Sequence, residues 1–348
     1  MKAAVVRAAG DLRVETVAEP SLGAYEALTE IVACGVCTGT DSHILAGAFP
    51  RLSPYPFILG HESIGRVIEV GPRVRYFKPG DLVLRPTAVR PGETLGGMSS
   101  AFGGYAERGV VADARALIED TPRAQTPRLP PFAAAQQVVP PDFDPVDAGM
   151  LITFKETLSW CHQLGPVVGR SVVVLGTGPV GLCLVRIAKY LGADPVVAVG
   201  RREERLELAG RLGADACVNA AREDLVAAGR ELTSGRGADF VLEAIGSVEL
   251  LAQAAGLVGD QGQVAVYGVP PVQEVQLRWA GTAPSWQLRF IRPREESVHE
   301  LALDLVRLGF IDLRSFVTHV LPLSGIAEAF RLIAGKEALK PVVIINGA

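Results

Sequence analysis

Three side chains in the first half of the chain carry donor atoms that zinc prefers. Cys37, His61 and Glu62 offer a thiolate, an imidazole and a carboxylate. A catalytic zinc site uses three such protein ligands and leaves a position for a substrate oxygen. A single cysteine or histidine is more often structural than a ligand, so the prediction depends on the three residues together. The set predicts a metal site that could polarise a substrate oxygen.

A glycine-rich turn in the second half predicts a dinucleotide site. It follows the apolar run 172–175 and precedes a segment with helical apolar spacing, 182–191. In such a turn the first glycine makes the tight turn, the second lets backbone amides approach a pyrophosphate, and the third lets the helix pack on the strand. The amino end of the helix also attracts phosphate. The predicted cofactor contacts here are Gly176, Thr177, Gly178, Pro179, Val180 and Gly181.

The end of the next predicted strand indicates which nucleotide is bound. In an NAD site, an Asp or Glu about 20 residues past the glycines binds the ribose 2′-hydroxyl. Here the strand 196–199 ends in Gly200, Arg201 and Arg202 instead. A glycine leaves room, and two guanidiniums can bind a 2′-phosphate bidentately, so NADP is favoured over NAD. The alternative is that both arginines are solvated charges at the start of a helix.

Two further predicted strands end in turns that would line the same crevice. They cover 241–246 and 264–268, and ligands in such sheets bind beyond the carboxyl ends of the strands. Ile245, Gly268 and Val269 are therefore added to the predicted cofactor contacts.

The predicted pattern of secondary structure changes near residue 145. The first 110 residues contain short strand-like runs broken by glycine and proline, which is typical of an irregular β-domain. Residues 120–145 are proline-rich and are predicted to connect the domains, with a short helix over 132–138. Strands and helices then alternate from 146 to 267, which predicts a doubly wound parallel sheet.

The last part of the chain breaks this alternation. It has predicted helices over 294–308 and 324–334 and an apolar strand over 341–346. This tail is expected to return to the N-terminal domain. The predicted domains are therefore 1–150, completed by 293–348, and 151–292, in a chain of 348 residues.

Composition limits the partners. The net charge of −4 argues against a nucleic-acid surface, and no basic run or long apolar segment indicates a membrane. No secretory signal is visible, so a cytoplasmic protein is expected. The five cysteines are an odd number at irregular spacing, which argues against a disulfide framework. Cys34 and Cys37 form a C-x-x-C pair, but no second pair follows to complete a four-cysteine zinc site.

The order of the motifs along nearly the whole chain resembles the zinc-dependent medium-chain dehydrogenase/reductase family, which includes alcohol and polyol dehydrogenases. The motifs are Gly-Val-Cys at 35–37, Gly-His-Glu at 60–62, Val-Gly-Pro-Arg-Val at 70–74, Pro-Gly-Asp at 79–81, Gly-Gly-Tyr-Ala-Glu at 103–107 and the nucleotide turn at 176–181. The resemblance implies an α/β protein with a GroES-like irregular β-barrel catalytic domain and a Rossmann domain, with the active site between them. It also implies a homodimer or homotetramer.

The resemblance implies a role for each matching residue. Cys37 and His61 would bind the zinc, and Glu62 would bind it or lie just behind it. Thr40 would pass on the proton of the substrate hydroxyl, and His43 would relay it to solvent. Asp41 would orient a zinc ligand, and Thr157 would lie against the nicotinamide.

The chain departs from the family pattern at three places. Two residues, not one, separate Cys37 from the Thr40-Asp41 pair. Thr153 stands where a further zinc ligand is usual, and Glu156 is the nearest carboxylate on that helix. The segment 85–102 contains no cysteine, where many members bind a structural zinc. One catalytic zinc and no structural zinc are therefore expected.

The leading hypothesis is a zinc-dependent NADP(H) dehydrogenase acting on the hydroxyl or ketone of a small alcohol, polyol or sugar. A second hypothesis is a zinc-independent NADPH reductase of the quinone- or enoyl-reductase kind, which Thr153 favours and Cys37 disfavours. A third hypothesis is a non-catalytic NADP(H)-binding regulator, which no feature of the sequence supports.

Overall fold

The structure is a computed structural model that describes residues 1–49, 54–122, 129, 132–268, 274, 276 and 281–347. The chain divides into two compact units. The first unit comprises Met1–Ile152 and Leu303–Ala348, and the second comprises Thr153–Ala302.

The described residues form eighteen strands and nine α-helices, with short 3-10 helices between them. In chain order the strands are β1 (Lys2–Ala8), β2 (Asp11–Thr16), β3 (Glu26–Gly35), β4 (Phe57–Ile58), β5 (Glu62–Val70), β6 (Leu82–Leu84), β7 (Thr94–Leu95), β8 (Met98–Ser100), β9 (Arg108–Ala112), β10 (Val138–Val139), β11 (Val172–Leu175), β12 (Val196–Gly200), β13 (Ala216–Asn219), β14 (Ala238–Glu243), β15 (Val258–Val266), β16 (Trp286–Phe290), β17 (Val317–Pro322) and β18 (Lys340–Ile344). The helices are α1 (Thr40–Leu45), α2 (Ala114–Asp120), α3 (Pro145–Cys161), α4 (Pro179–Tyr190), α5 (Glu203–Arg211), α6 (Leu225–Leu232), α7 (Val248–Leu257), α8 (His299–Arg307) and α9 (Ile326–Ala334).

Two sheets build the first unit. The smaller has the strand order β2-β1-β4-β8-β7, and the larger has the order β10-β6-β5-β3-β18-β17, with β9 also paired to β3. Buried side chains from both sheets and from helix α9 form one core, which includes Val6, Phe57, Cys34 and Ile326. Burying these apolar groups supplies the main driving force for folding this unit.

Three neighbouring strands of the larger sheet bring distant parts of the chain to one edge. In the antiparallel β3–β5 pair, Gly35 lies opposite Glu62. In the antiparallel β18–β3 pair, Val342 lies opposite Gly35, and the Val36 amide donates to the Pro341 carbonyl at 2.9 Å. The residues that follow β3, precede β5 and begin β18 therefore meet at the same edge of the sheet.

The second unit is a doubly wound sheet of six parallel strands in the order β13-β12-β11-β14-β15-β16. The chain runs from β11 outward to β13 and then returns to place β14 on the other side of β11. Ligands of such sheets bind beyond the carboxyl ends of the strands at this switch point. Strand β11 is buried along its whole length, as its four apolar residues predict.

The alternation of strands and helices predicted for 172–267 is confirmed, and so is the C-terminal strand. Strand β16 was not predicted, because it is an edge strand whose residues are half-buried or exposed and give no apolar run. The helix predicted over 132–138 is instead a 3-10 turn, Ala133–Ala135, followed by β10. The helix predicted from 294 begins as a 3-10 helix, Glu295–Val298, and becomes α-helical at His299.

None of the helices within the described ranges is both long enough and apolar enough to cross a membrane.

Candidate functional site

The register of β3 and β5 brings the candidate metal ligands together. Cys37 follows the end of β3 by two residues, His61 directly precedes β5, and Glu62 is the first residue of β5. Gly35 permits this close approach, because a Cβ there would lie 2.6 Å from Glu62 Oε2. Cys37 and His61, which are 24 residues apart in sequence, thus become neighbours.

The three side chains offer a compact donor set. One ligand atom each from Cys37, His61 and Glu62 lies within 4.8 Å of the others. Cys37 is half-buried, whereas His61 and Glu62 are buried. Among the described residues, this is the one group of three potential ligands that the fold assembles. A thiolate, an imidazole and a carboxylate at this spacing fit a zinc ion.

Asp41 orients two members of the set. It lies in α1 and is fully buried. Its Oδ1 is 3.0 Å from His61 Nδ1, and its Oδ2 accepts a hydrogen bond from the Cys37 amide at 3.1 Å. A carboxylate on Nδ1 leaves Nε2 as the nitrogen that can bind a metal, which is the usual arrangement around a zinc-binding histidine.

The same contacts change the pKa of His61. Burial alone lowers the pKa of His61, but the Asp41 carboxylate and a hydrogen bond with Cys37 outweigh it and raise the pKa well above its ordinary value. Only the deprotonated nitrogen can bind a metal, so metal binding at His61 would release a proton.

Glu62 has a buried cationic partner that the sequence did not reveal. Lys340, the first residue of β18, donates to Glu62 Oε1 at 2.8 Å and to Oε2 at 2.5 Å. The side chains are 2% and 3% exposed. Burial lowers the pKa of Lys340, but the charge of Glu62 outweighs it and the net pKa is raised. A carboxylate has about four lone-pair directions, so Glu62 can bind Lys340 and still offer an oxygen to a metal.

The two residues expected to relay protons lie on α1. Thr40 is its first residue and His43 lies in its last turn, and both are half-buried. Residues three apart on a helix share a face, so Thr40 and His43 are neighbours on α1. The additional residue between Cys37 and Thr40 falls in the turn that ends at Gly39, the residue before the helix.

His61 also lines a pocket with two aromatic rings that the sequence did not single out. The Phe102 ring centroid lies 5.2 Å from that of His61 and 5.5 Å from that of Phe132. The Arg85 guanidinium lies 4.9 Å from the Phe132 centroid and donates to the His61 carbonyl at 2.7 Å. Arg85, Phe102 and Phe132 all have left-handed backbone angles, with φ of 58°, 73° and 66°. Such strained residues concentrate at functional sites.

The glycine turn of the second unit has the steric features of a pyrophosphate site. Gly176 has φ of +116°, and a Cβ there would lie 2.6 Å from Ile245 Cγ1. Gly178 precedes the first residue of α4, Pro179, and has open space where its Cβ would be. A Cβ at Gly181 would overlap the Gly176 carbonyl oxygen, so α4 packs directly on the turn. Thr177 is buried and Val180 half-buried within the same turn.

Three arginines follow the end of β12 within five residues. Gly200 is its last residue, Arg201 is exposed, and Arg202 directly precedes α5. Burial lowers the pKa of Arg202, and burial together with the charge of Arg202 lowers the pKa of Arg205 to about 10. Arg205 was not predicted, although its spacing of three residues from Arg202 on a helix indicates the proximity.

A buried carboxylate shapes the turn after β14. Glu243 accepts hydrogen bonds from the amides of Ile245 at 2.8 Å and Gly246 at 2.9 Å. Burial raises the pKa of Glu243, and these amides oppose the shift. Ile245 is 50% exposed and lies against Gly176. A Cβ at Gly268 would overlap the Gly246 amide, so the two strand ends are close, whereas Val269 lies outside the described residues.

Thr157 and its neighbours lie in α3, and they are assigned to the second unit. The Thr157 hydroxyl donates to the Thr153 carbonyl at 2.8 Å and is fully buried. Thr153 is buried as well. Glu156 accepts a hydrogen bond from the Tyr267 hydroxyl at 3.1 Å.

Comparison with known proteins identifies the family of the chain. Residues 23–122 match the family model of the alcohol dehydrogenase GroES-like domain, and residues 179–292 match that of zinc-binding dehydrogenases. The chain is 31% identical to a probable zinc-binding alcohol dehydrogenase of Mycobacterium tuberculosis, over 97% of this chain and 87% of that protein. It is 28% identical to a sorbitol dehydrogenase of Bacillus subtilis, over 99% of this chain and 98% of that protein. A solved structure of a putative zinc-binding dehydrogenase from Sinorhizobium meliloti bound to NADP is similar with a TM-score of 0.79 and 28% identity, over 99% of this chain and 98% of that one.

The chain therefore belongs to the zinc-dependent medium-chain dehydrogenase/reductase family, whose members are oxidoreductases. Its fold combines a GroES-like domain with a Rossmann domain.

Proposed function

We propose that this protein is a zinc- and NADP(H)-dependent oxidoreductase that transfers a hydride between the nicotinamide and a small alcohol, polyol or sugar, or the corresponding ketone. The observation that carries the proposal is the cluster of Cys37, His61 and Glu62 donor atoms within 4.8 Å of one another. The names of the relatives, which include zinc-binding alcohol and sorbitol dehydrogenases, support the reaction class.

Cys37, His61 and Glu62 would bind the zinc. When bound, zinc lowers the pKa of a substrate hydroxyl and thereby favours loss of its proton. Asp41 keeps His61 Nε2 free for the metal through its bond to Nδ1. Lys340 forms a buried ion pair with Glu62 and so compensates the charge of this carboxylate.

Thr40 and His43 would move the substrate proton. Both are half-buried residues on one face of α1, the helix that begins three residues after Cys37. A hydroxyl can accept and donate a proton at the same time, and an imidazole exchanges protons with solvent near neutral pH. In this proposal Thr40 receives the proton of the substrate hydroxyl and His43 passes it to solvent.

The second unit would bind NADP(H). The turn at 176–181 would bind the pyrophosphate through backbone amides, and Ile245 and Gly268 with Thr157 would lie along the nicotinamide half. Arg201 and Arg202 beside Gly200 would bind the 2′-phosphate. A guanidinium suits this role because it binds phosphate bidentately.

A metal-free NADPH reductase is the second candidate, favoured by Thr153 at a position where the family usually has a zinc ligand. One experiment separates the two. Oxidation of alcohols, polyols and sugars and reduction of the ketones are assayed with NADPH/NADP and NADH/NAD, before and after stripping by a chelator. The proposal expects turnover that is lost on stripping and restored by zinc. Turnover of quinones or enones that survives stripping would favour the second candidate.

Replacing Arg201 tests the choice of cofactor. Arg201→Asp is expected to weaken NADPH binding by about 10- to 100-fold, because it removes a charged hydrogen bond to phosphate and adds a repulsive charge. NADH binding should change by less than about threefold, since NADH lacks that phosphate. Arg211→Asp makes the same charge change in the last turn of α5, at the far end of the helix that follows Arg201, and serves as the control. Equal loss of both nucleotides in Arg201→Asp would contradict the phosphate assignment.

A further inference from the structure

Tyr105 is a buried residue whose backbone is hydrogen-bonded next to the metal ligand His61. It is fully buried, its amide donates to the Leu59 carbonyl at 2.9 Å, and its carbonyl accepts from the Ala4 amide at 2.8 Å. Gly60, which precedes His61, has φ of +107°, and a Cβ there would lie 2.8 Å from the Tyr105 amide nitrogen. The backbone of Tyr105 and the backbone before His61 are therefore in direct contact.

The Tyr105 hydroxyl points at the carboxylate that orients His61. It lies 2.7 Å from Asp41 Oδ2 and 3.0 Å from the Gly35 carbonyl. A phenol has one proton, and the shorter contact with the charged acceptor is the stronger one. The Asp41 carboxylate thus has three polar contacts, from the Tyr105 hydroxyl, the Cys37 amide and His61 Nδ1.

We propose that Tyr105 is a positioning residue of the metal centre, which acts through Asp41 on His61. A fully buried carboxylate needs its acceptor positions filled, and the direction of its bond to Nδ1 sets the direction of Nε2. The hydroxyl of Tyr105 keeps Asp41 Oδ2 turned away from the imidazole, so that Oδ1 faces Nδ1. The inference rests on the proposed zinc site.

The alternative is that Tyr105 only fills space, since its ring belongs to the apolar core around Phe57 and Leu59. The two roles differ in the hydroxyl. Tyr105→Phe keeps the ring and its packing and removes the bond to Asp41. A role in packing alone predicts no change in metal binding.

The test measures zinc affinity by chelator competition and the visible spectrum of the cobalt-substituted protein. We expect Tyr105→Phe to bind zinc about 10-fold more weakly, at the lower end of the loss found when a direct partner of a metal-binding histidine is removed, because Tyr105 acts through Asp41. The cobalt spectrum should shift, and NADPH affinity should stay the same. Tyr25→Phe is the matched control, because it also removes a tyrosine-to-carboxylate bond in the first unit, to Asp120 at 3.0 Å.

A double-variant cycle shows whether Tyr105 acts through Asp41. In the Asp41→Ala background, which leaves no side-chain partner for the Tyr105 hydroxyl at position 41, Tyr105→Phe should reduce zinc affinity by less than about threefold, because coupled residues are not additive. An undiminished loss in that background would overturn the proposed route. Unchanged zinc affinity and cobalt spectrum in Tyr105→Phe alone would overturn the inference while leaving the zinc site intact.

If Tyr105→Phe does not fold, the test uses 4-fluorophenylalanine and 4-aminophenylalanine at position 105. The first fills the volume of the hydroxyl without donating a hydrogen bond, and the second restores a donor. Weak zinc binding in the first and recovery in the second would support the inference, whereas equal affinities would overturn it. A wild-type protein that binds no zinc would overturn both the inference and the proposed function, which distinguishes that outcome from the others.

Discussion

Removing the charge of Lys340 is expected to destabilise the protein strongly. Lys340 and Glu62 are almost fully buried, and Lys340 Nζ is within 2.8 Å of both carboxylate oxygens. Lys340→Met keeps most of the side-chain volume but leaves the Glu62 charge without this cation. Breaking a buried ion pair in this way costs about 3–5 kcal/mol of the free energy of unfolding.

The loss can be followed by urea unfolding at pH 7 with two probes. Far-UV circular dichroism reports both units, and tryptophan fluorescence reports the second, because all three tryptophans lie within 153–302. The effect should appear in the circular dichroism transition. Burial lowers the pKa of Lys340 and Glu62 raises it above the usual 10.5, so the ammonium contributes fully at pH 7 and its contribution is lost only as the pH rises through that raised value.

A double variant separates the pair from simple packing. Lys340→Met with Glu62→Gln removes both charges, and it should recover most of the lost stability because no uncompensated charge remains. A loss below about 1 kcal/mol in Lys340→Met would refute the reasoning, because that value is typical of a solvated surface pair. Unfolding is measured on metal-stripped protein, because Glu62 is also a proposed zinc ligand. Failure of the double variant to recover would then mean that packing, not charge, carries the effect.

Three further substitutions have expected outcomes. Gly60→Ala should lower the free energy of unfolding by about 2 kcal/mol or more, measured by urea denaturation, because the left-handed backbone and the nearby Tyr105 amide exclude a Cβ; a change below about 0.5 kcal/mol would contradict this. Gly181→Ala should abolish NADPH binding in a fluorescence titration, since the added methyl group would push α4 away from Gly176; unchanged affinity would show that the helix can move freely. Glu243→Gln should weaken NADPH binding by about 1–2 kcal/mol, because an amide has one oxygen where the carboxylate has two to accept from the turn after β14. A loss of thermal stability with unchanged NADPH affinity would contradict a role in the cofactor turn.

The cofactor half of the protein could be predicted from local sequence because its determinants are adjacent in the chain. The turn at 176–181 and the ending at Gly200 each lie within a short segment whose apolar pattern also predicts the strand before it. The same reasoning missed β16, because an exposed edge strand has no apolar alternation to reveal it.

The metal site could be predicted only in part. The types of Cys37, His61 and Glu62 suggest zinc, but their meeting depends on the register of β3 and β5, which local pattern does not determine. Lys340 lies 278 residues from Glu62. In the sequence it is a single charged residue before an apolar strand, and nothing local indicates that it pairs with Glu62. Tyr105 was noted only as part of a motif, since nothing local indicates that its hydroxyl reaches Asp41.

Zinc content tests the central claim most directly. The purified protein is expected to contain about one zinc ion per chain, because one site with three suitable ligands is present among the described residues. Cys37→Ser should lose most of it, whereas Cys217→Ser, which changes an exposed cysteine of the second unit, should retain it. Less than about half an equivalent in the wild type, or full retention in Cys37→Ser, would contradict the account.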